Sequence, residues 1–98
     1  MIPYSFHPAA EVETLKAAGF YEDRVPGLAG RFRAELAAAI QFLQRHPTAA
    51  PLLGNNLRRK HLNRFPYSLI YEVEAGEIRI YAVAHHKQRP GYWWYRIP

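Results

Sequence analysis

The sequence predicts an α+β fold in which a hairpin of two helices packs on one face of a mainly antiparallel sheet. Three observations lead to this prediction. Apolar residues recur at helical spacing over residues 28–45, side chains alternate with a period of two after residue 57, and Ala75-Gly76 forms a tight turn between two alternating segments. The predicted element order is β-α-α-β-β-β, and the 98 residues form one domain spanning 1–98.

A short strand and a first helix open the chain. Residues 2–6 alternate as a strand, and Pro8 begins the helix because proline lacks the N–H that the first turn would leave unpaired. Val12, Leu15 and Gly19 share one face of this helix at helical spacing. We expect Gly19 to permit the close approach of a neighbouring element, since glycine otherwise weakens a helix.

The second helix has the clearest periodic pattern in the sequence. It is predicted from Leu28 to Arg45, between the breaks at Pro26-Gly27 and His46-Pro47. Its buried stripe is Leu28, Phe32, Leu36, Ala39, Ile40 and Leu43. The loop between the two helices is short, so they should lie antiparallel as a hairpin.

Three strands are predicted in the second half of the chain. Residues 48–57 contain turn formers and little pattern, and no element is predicted there. A strand rich in basic residues follows from Leu57 to Leu62. In the two strands of the last hairpin, side chains alternate between the faces of the sheet: Tyr67, Leu69, Tyr71 and Val73 alternate with Ser68, Ile70 and Glu72, and Ile78, Ile80 and Ala82 alternate with Arg79, Tyr81 and Val83.

Composition excludes several classes of protein. The chain has no cysteine, which excludes disulfides, thiolate zinc sites and cysteine nucleophiles. The segment Met1–Tyr4 lacks the basic and apolar regions of a signal peptide, and no apolar run is long enough to span a membrane. We therefore expect a cytoplasmic protein that does not associate with membranes.

Positive charge is concentrated in the second half of the chain. The sequence has 13 Lys and Arg against 8 Asp and Glu, a net charge of +5. Basic and acidic residues are equal in number over residues 1–56, so the whole excess lies in residues 57–98. This distribution indicates an anionic partner: nucleic acid, an acidic protein, or both.

The candidate binding residues belong to this basic half. Arg58, Arg59 and Lys60, with His61 and His85, are predicted to bind the target or an anion. The alternative for the basic run is a solvated edge strand whose charges prevent aggregation. His85 and His86 are adjacent and should point to opposite faces, so they make a poor chelating pair and no metal site is expected.

The segment Tyr92–Tyr95 combines four aromatic side chains with neighbouring arginines. Aromatic faces beside arginines can stack on the bases of single strands. The alternative, which we favour for the two tryptophans, is that the rings close over the sheet and complete a small core. Tyr92 follows a turn and should be more open. No glycine-rich phosphate loop, HExxH motif or nucleophile elbow is present.

A set of motifs spread over nearly the whole chain resembles a known family. The motifs are Phe6–Ala10, Phe20–Glu22, Pro26–Leu28, Arg31-Phe32 with Glu35, Arg64–Tyr71, Ala82–His85, Arg89-Pro90 and Tyr92-Trp93. In order and spacing they resemble the RelE/ParE superfamily of bacterial toxins from type II toxin–antitoxin systems. The chain is most similar to the ParE-like branch.

The resemblance implies a small βααβββ fold, in agreement with the elements predicted above. It also implies a cognate antitoxin, which in this class commonly wraps the toxin with an initially disordered acidic or amphipathic tail. The two proteins would form a hetero-oligomer. Membership of the ParE-like branch implies inhibition of DNA gyrase without nuclease activity.

The superfamily also implies two alternatives. RelE-like members cut messenger RNA in the ribosomal A site, and here His86 would act as acid or base, Tyr92 would assist, and Arg64 and Arg89 would clamp phosphates. These nucleases place an arginine where this chain has Ser68. Such an enzyme needs no metal, and none of these possibilities requires a cofactor. The second alternative is an inactive relative that acts only in the antitoxin complex.

Overall fold

Both helices begin at capping contacts that nearby side chains supply. In the computed structural model, which describes residues 1–98, α1 spans Pro8–Arg24 and α2 spans Leu28–Arg45. The His7 ring accepts a hydrogen bond from a backbone N–H in the first turn of α1 at 3.0 Å. The Glu22 carboxylate accepts two backbone N–H groups at the start of α2. These contacts satisfy donors that a helix start leaves unpaired.

A five-stranded sheet lies against the helical hairpin. Its strands in chain order are β1 Tyr4–Phe6, β2 Leu52–Gly54, β3 Leu57–His61, β4 Tyr67–Glu74 and β5 Glu77–His85. The spatial order is β1-β5-β4-β3-β2, with β1 parallel to β5 and every other pair antiparallel. The α+β class, the helical hairpin and the mainly antiparallel sheet are therefore confirmed.

The strand β2 lies in the segment where no element was predicted, so that prediction is wrong. Both faces of β2 are exposed, and its sequence therefore has no alternation of apolar and polar residues. A two-residue turn joins it to β3, with φ of 50° at Asn55 and 74° at Asn56. Asparagine adopts such left-handed angles more readily than most residues, so the paired asparagines were the available signal.

The main core lies between the hairpin and the sheet. The predicted stripe of α2 is confirmed for Phe32, Leu36, Ala39, Ile40 and Leu43, which are all buried, whereas Leu28 at the start of the helix is only half-buried. The other faces of α2 are exposed, and neither helix is long and apolar enough to cross a membrane.

The predicted face of α1 is not the buried one. Val12 and Leu15 are 47% and 61% exposed, and nothing approaches within 4 Å of the space that a Cβ at Gly19 would occupy. The buried residues of α1 are small: Ala10, Thr14, Ala17 and Ala18. Because α1 contacts both α2 and β5, small side chains let it approach both elements closely, and the larger ones face outward.

A β-bulge reverses the alternation of β5 halfway along the strand. Ile70 pairs with Ala82 whereas the next residue, Tyr71, pairs with Ile80, so β5 contains one extra residue, Tyr81. Beyond the bulge Val83 joins the core under the helices, while Ala82 packs on the opposite face of the sheet. The predicted grouping of Ala82 with Ile78 and Ile80 on one face is therefore wrong, because the bulge places Ala82 with Tyr81.

The C-terminal segment covers this second face of the sheet. Trp93 is buried there against a small cluster formed by Leu57, Ile70, Tyr81 and Ala82. A short 3-10 helix, Trp94–Arg96, follows. The expectation that tryptophans complete a core is confirmed for Trp93 and wrong for Trp94, which is 48% exposed.

The carboxylate of Glu13 on α1 fastens this segment in place. It forms a two-pronged salt bridge with Arg96 at 3.0 and 2.9 Å and accepts the Tyr92 hydroxyl at 2.6 Å. It also accepts the backbone N–H of Val83, which lies beyond the end of β1 and has no strand partner on that side. Burial is the largest single effect on Arg96 and opposes its charge, but the hydrogen bonds to Glu13 and Tyr95 and the charge of Glu13 together outweigh burial and hold its pKa above the ordinary value.

Replacing Glu13 tests the importance of this contact. Glu13→Ala leaves the largely buried Arg96 charge without its partner, and such a loss costs about 3 kcal/mol. We expect the free energy of unfolding in urea to fall by about that amount. Glu11→Ala removes an exposed carboxylate from the same helix and should cost about 1 kcal/mol or less. Equal losses in the two variants would contradict this assignment.

Candidate functional site

A cleft of about 470 Å³ opens on the second face of the sheet, between the four strands β2 to β5 and the C-terminal segment. Its walls contain no aspartate or glutamate. Its polar and aromatic lining includes Arg59, His61, Ser68, His85, His86, Arg89, Tyr92 and Trp94. The fold thus brings together most of the residues that the sequence analysis selected, from β3, from the end of β5 and from the segment after it.

Ser68 joins two histidines at the floor of the cleft. Its Oγ lies 2.6 Å from Nδ1 of His61 and 2.9 Å from Nε2 of His86, and these two nitrogens are 3.3 Å apart. The pairing of β3 with β4 places His61 directly opposite Ser68. A hydroxyl can donate to one imidazole and accept from the other, so Ser68 can fix which nitrogen of each ring carries a proton.

The position of His61 disfavours its protonation. Burial lowers the pKa of His61, and the positive charges of Arg59, His86 and Lys60 lower it further. A histidine that stays neutral beside a second histidine suits a site that accepts a proton and passes it on. No three His, Asp or Glu side chains lie close enough together to hold a metal ion.

Strand alternation divides the basic run, which was predicted to act as one anion-binding group. Arg59 faces the cleft with His61. Arg58 faces the helix side and donates to the carbonyl oxygens of Thr48 and Ala50 at 2.9 and 2.8 Å. Lys60 lies over the ring of Phe42 on α2, at 5.0 Å from its centre. Of the three, only Arg59 reaches the site, and Arg58 has a structural role.

Arg64 also lies away from the cleft. It is exposed in the loop between β3 and β4, where its backbone N–H donates to the Glu35 carboxylate on α2. This position excludes Arg64 from the set of phosphate clamps that would act with His86 and Arg89. Arg89 does line the cleft and is exposed.

Tyr92 and His85 line the cleft but have structural contacts of their own. The Tyr92 hydroxyl donates to Glu13, and burial followed by this hydrogen bond raises the pKa of the phenol above its ordinary value. Tyr92 is therefore not the open side chain that was expected. The His85 ring packs edge-on against Tyr67 at 4.9 Å, and its Nδ1 accepts the backbone N–H of Lys87.

Two features of the site escaped the sequence analysis. The bridging role of Ser68 depends on strand register and leaves no local pattern. The position of Trp94 depends on Gly91, which has φ of 80°. A Cβ added at Gly91 would lie 2.5 Å from the indole, so only glycine leaves room for the ring. The turn dipeptide Pro90-Gly91 was the available signal for this second feature.

Comparisons with known proteins agree with this architecture. Residues 4–90 match the family described as "ParE toxin of type II toxin-antitoxin system, parDE". The chain belongs to the ParE toxin family. It is a toxin of a type II toxin–antitoxin system, and a cognate antitoxin is its partner.

The ParE fold is also found among solved structures. A chain described as "Chromosomal ParDE TA system from P. aeruginosa" matches with a TM-score of 0.75 and 20% sequence identity, covering 87% of this chain and 96% of that chain. At this identity the likeness concerns the fold alone. A search of curated protein sequences found no match. The ParE match ends at residue 90, so it includes His86 and Arg89, whereas Trp94 lies beyond it.

The pKa of His61 predicts how stability depends on pH. Since its pKa is lower in the folded protein than the ordinary 6.5, the unfolded chain binds more protons as pH falls below that value. The share of stability that His61 contributes should therefore be full well above pH 6.5 and decrease as the pH falls through 6.5 towards the lower pKa of the folded state. His7 contributes with the same sign, because burial and then the charges of Arg96 and Arg79 lower its pKa.

Two substitutions separate these contributions in urea unfolding at several pH values. His61→Gln should flatten the dependence of the unfolding free energy on pH. His7→Asn keeps a side chain that can cap α1 and should remove the part of the pH dependence that comes from His7. If His61→Gln left the pH dependence of the unfolding free energy unchanged, His61 would not be its source.

Proposed function

We propose that this toxin arrests growth by inhibiting DNA gyrase, and that its antitoxin holds it inactive in a hetero-oligomer. The family match over residues 4–90 carries the proposal. The contacts of the site support it. Ser68 stands where RelE-like nucleases place an arginine, Arg64 lies away from the cleft, and the Tyr92 hydroxyl is bound to Glu13.

A gyrase supercoiling assay with the purified, folded toxin tests the proposal. We expect the toxin to block supercoiling and the antitoxin, added in equal amount, to restore it. A toxin that stops growth when expressed without its antitoxin, yet leaves gyrase unaffected in excess, would contradict the gyrase target. Expression without any growth arrest would instead support an inactive relative that acts only in the antitoxin complex.

A ribosome-dependent endoribonuclease is the second candidate, favoured by the convergence of cations and imidazoles in a cleft without carboxylates. Cleavage of RNA needs an acid, a base and cations that stabilise charge on the phosphate. His86 would act as acid or base, and Arg59 and Arg89 would hold the phosphate. Such an enzyme would be independent of metals.

Primer extension on a defined message in a purified translation system separates the two candidates. Under the gyrase proposal the message stays intact with and without ribosomes. Cuts at A-site codons that appear only with ribosomes, and that His86→Ala abolishes while the variant stays folded, would replace the gyrase proposal with the nuclease.

A groove on the helix side fits an antitoxin segment. Its volume is about 780 Å³, and it lies between α2 and the loop that joins β3 to β4. Its floor and rim combine apolar and basic side chains: Tyr21, Leu28, Phe65 and Pro66 with Arg31 and Arg64. One carboxylate, Glu35, also lines the groove, and both of its oxygens accept the backbone N–H of Arg64. An amphipathic, acidic segment would bury its apolar side chains there and place its charges beside the two arginines.

A pair of neighbouring alanines on α2 tests the groove. Both are exposed, but Ala38 lines the groove and Ala37 does not. Ala38→Glu should weaken antitoxin binding at least tenfold through repulsion and steric filling. Ala37→Glu adds the same charge to the same helix and should leave binding within about twofold. The affinities can be compared by calorimetry with the purified antitoxin. Equal effects would contradict the groove as the docking site.

A further inference from the structure

The charge distribution of the cleft selects for an anion. Arg59 and Arg89 are exposed at its wall, two imidazoles form its floor, and no carboxylate lines it. Tyr92, which lines the cleft, donates to the carboxylate of Glu13, but the two-pronged contact with Arg96 neutralises the charge of that carboxylate. An anion entering the cleft therefore meets positive groups without a competing negative charge.

One ring of the histidine pair leaves a hydrogen-bond donor free for such an anion. Nδ1 of His61 and Nε2 of His86 already face Ser68, so the opposite nitrogen of each ring is left for a ligand. When the Ser68 hydroxyl donates to Nδ1 of His61, that ring carries its proton on Nε2 and can donate it, whereas His86 donates from Nε2 to Ser68. Hydrogen bonds to a charged acceptor are stronger than neutral ones, and guanidinium groups bind phosphate oxygens in pairs.

An exposed indole lies beside these donors. Trp94 lines the cleft, stays 48% exposed, and packs against Trp93 with ring centres 4.7 Å apart. Gly91 adjoins its indole without a Cβ, as described above, so any side chain there would displace the ring. A fixed indole that exposes about half of its surface next to cations is a platform for a nucleobase.

The size of the cleft limits the ligand. A volume of about 470 Å³ lies within the range of small-molecule sites. We propose that the cleft binds a 5′-mononucleotide, with its phosphate held by His61, Arg59 and Arg89 beside the His86 ring and its base stacked on Trp94. Inhibition of gyrase does not require this nucleotide site. If the toxin did not bind a nucleotide, the expected result of the supercoiling assay would stay the same.

Titration of the purified toxin at low salt tests the site with three probes: AMP, adenosine and inorganic phosphate. The intrinsic fluorescence of its two tryptophans and calorimetry both report binding. We expect AMP to bind at least tenfold more tightly than either fragment, because only AMP reaches both the cations and the indole. Affinity for AMP no better than for phosphate would overturn the proposal.

Matched variants locate the binding. Arg59→Gln and Trp94→Ala should each weaken AMP binding about tenfold, the first by removing a phosphate contact and the second by removing the stacking surface. Arg64→Gln removes the same charge from the other side of the protein and should change the affinity by less than about twofold. Equal weakening by Arg59→Gln and Arg64→Gln would indicate general charge attraction and overturn the proposal.

Two further arms complete the test. Proton resonances of the His61 and His86 rings should shift when AMP is added to the unmodified toxin, which provides a readout that does not depend on the folding of variants. Resonances of both rings that stay unshifted at saturating AMP would overturn the proposed position of the phosphate.

A short DNA strand with a 5′-phosphate, compared with the same strand ending in a hydroxyl, distinguishes a free nucleotide from a strand end as the source of the phosphate.

Discussion

The Glu13 carboxylate holds together parts of the chain that secondary structure alone would leave separate. It joins α1 to the free edge of β5 and to the C-terminal segment. That segment forms one wall of the cleft and buries Trp93 against the second face of the sheet. The cleft therefore depends on one largely buried ion pair, and its low exposure makes the loss of either partner far more destabilising than at a surface ion pair.

The β-bulge determines which of the adjacent histidines His85 and His86 faces Ser68 in the cleft. Because Tyr81 is an extra residue, the alternation of β5 reverses, and His85 lies with Tyr67, whose ring contacts Phe32 on the helix side. His86 is then left to face Ser68 across the cleft floor. Without the extra residue, the two histidines would exchange faces, since neighbouring residues on a strand point in opposite directions.

Periodic patterns predicted the fold better than they predicted the site. The stripe of α2 repeats often enough to identify the buried face from sequence, whereas β4 is buried on both faces from Ser68 to Tyr71. In α1 the same reasoning failed, because large apolar residues lie outside and alanines lie inside. For the site, the charge distribution identified Arg59 and the resemblance identified His86 as candidates. The contacts among His61, Ser68 and His86 depend on strand register, which no local pattern encodes. No pattern in the sequence distinguished Glu13 from the other acidic residues.

The distance along the chain between Glu13 and Arg96 also bears on when the toxin becomes complete during its synthesis. The two residues are 83 positions apart, and β1 finds its only strand partner, β5, almost as late. Such non-local contacts form last, after the loops between them have closed. Synthesis must therefore pass the last hairpin of the sheet and then Arg96 before the sheet edge and the cleft wall can form. A chain that terminated before Tyr92 would keep the strands of the sheet but would lack the wall of the cleft.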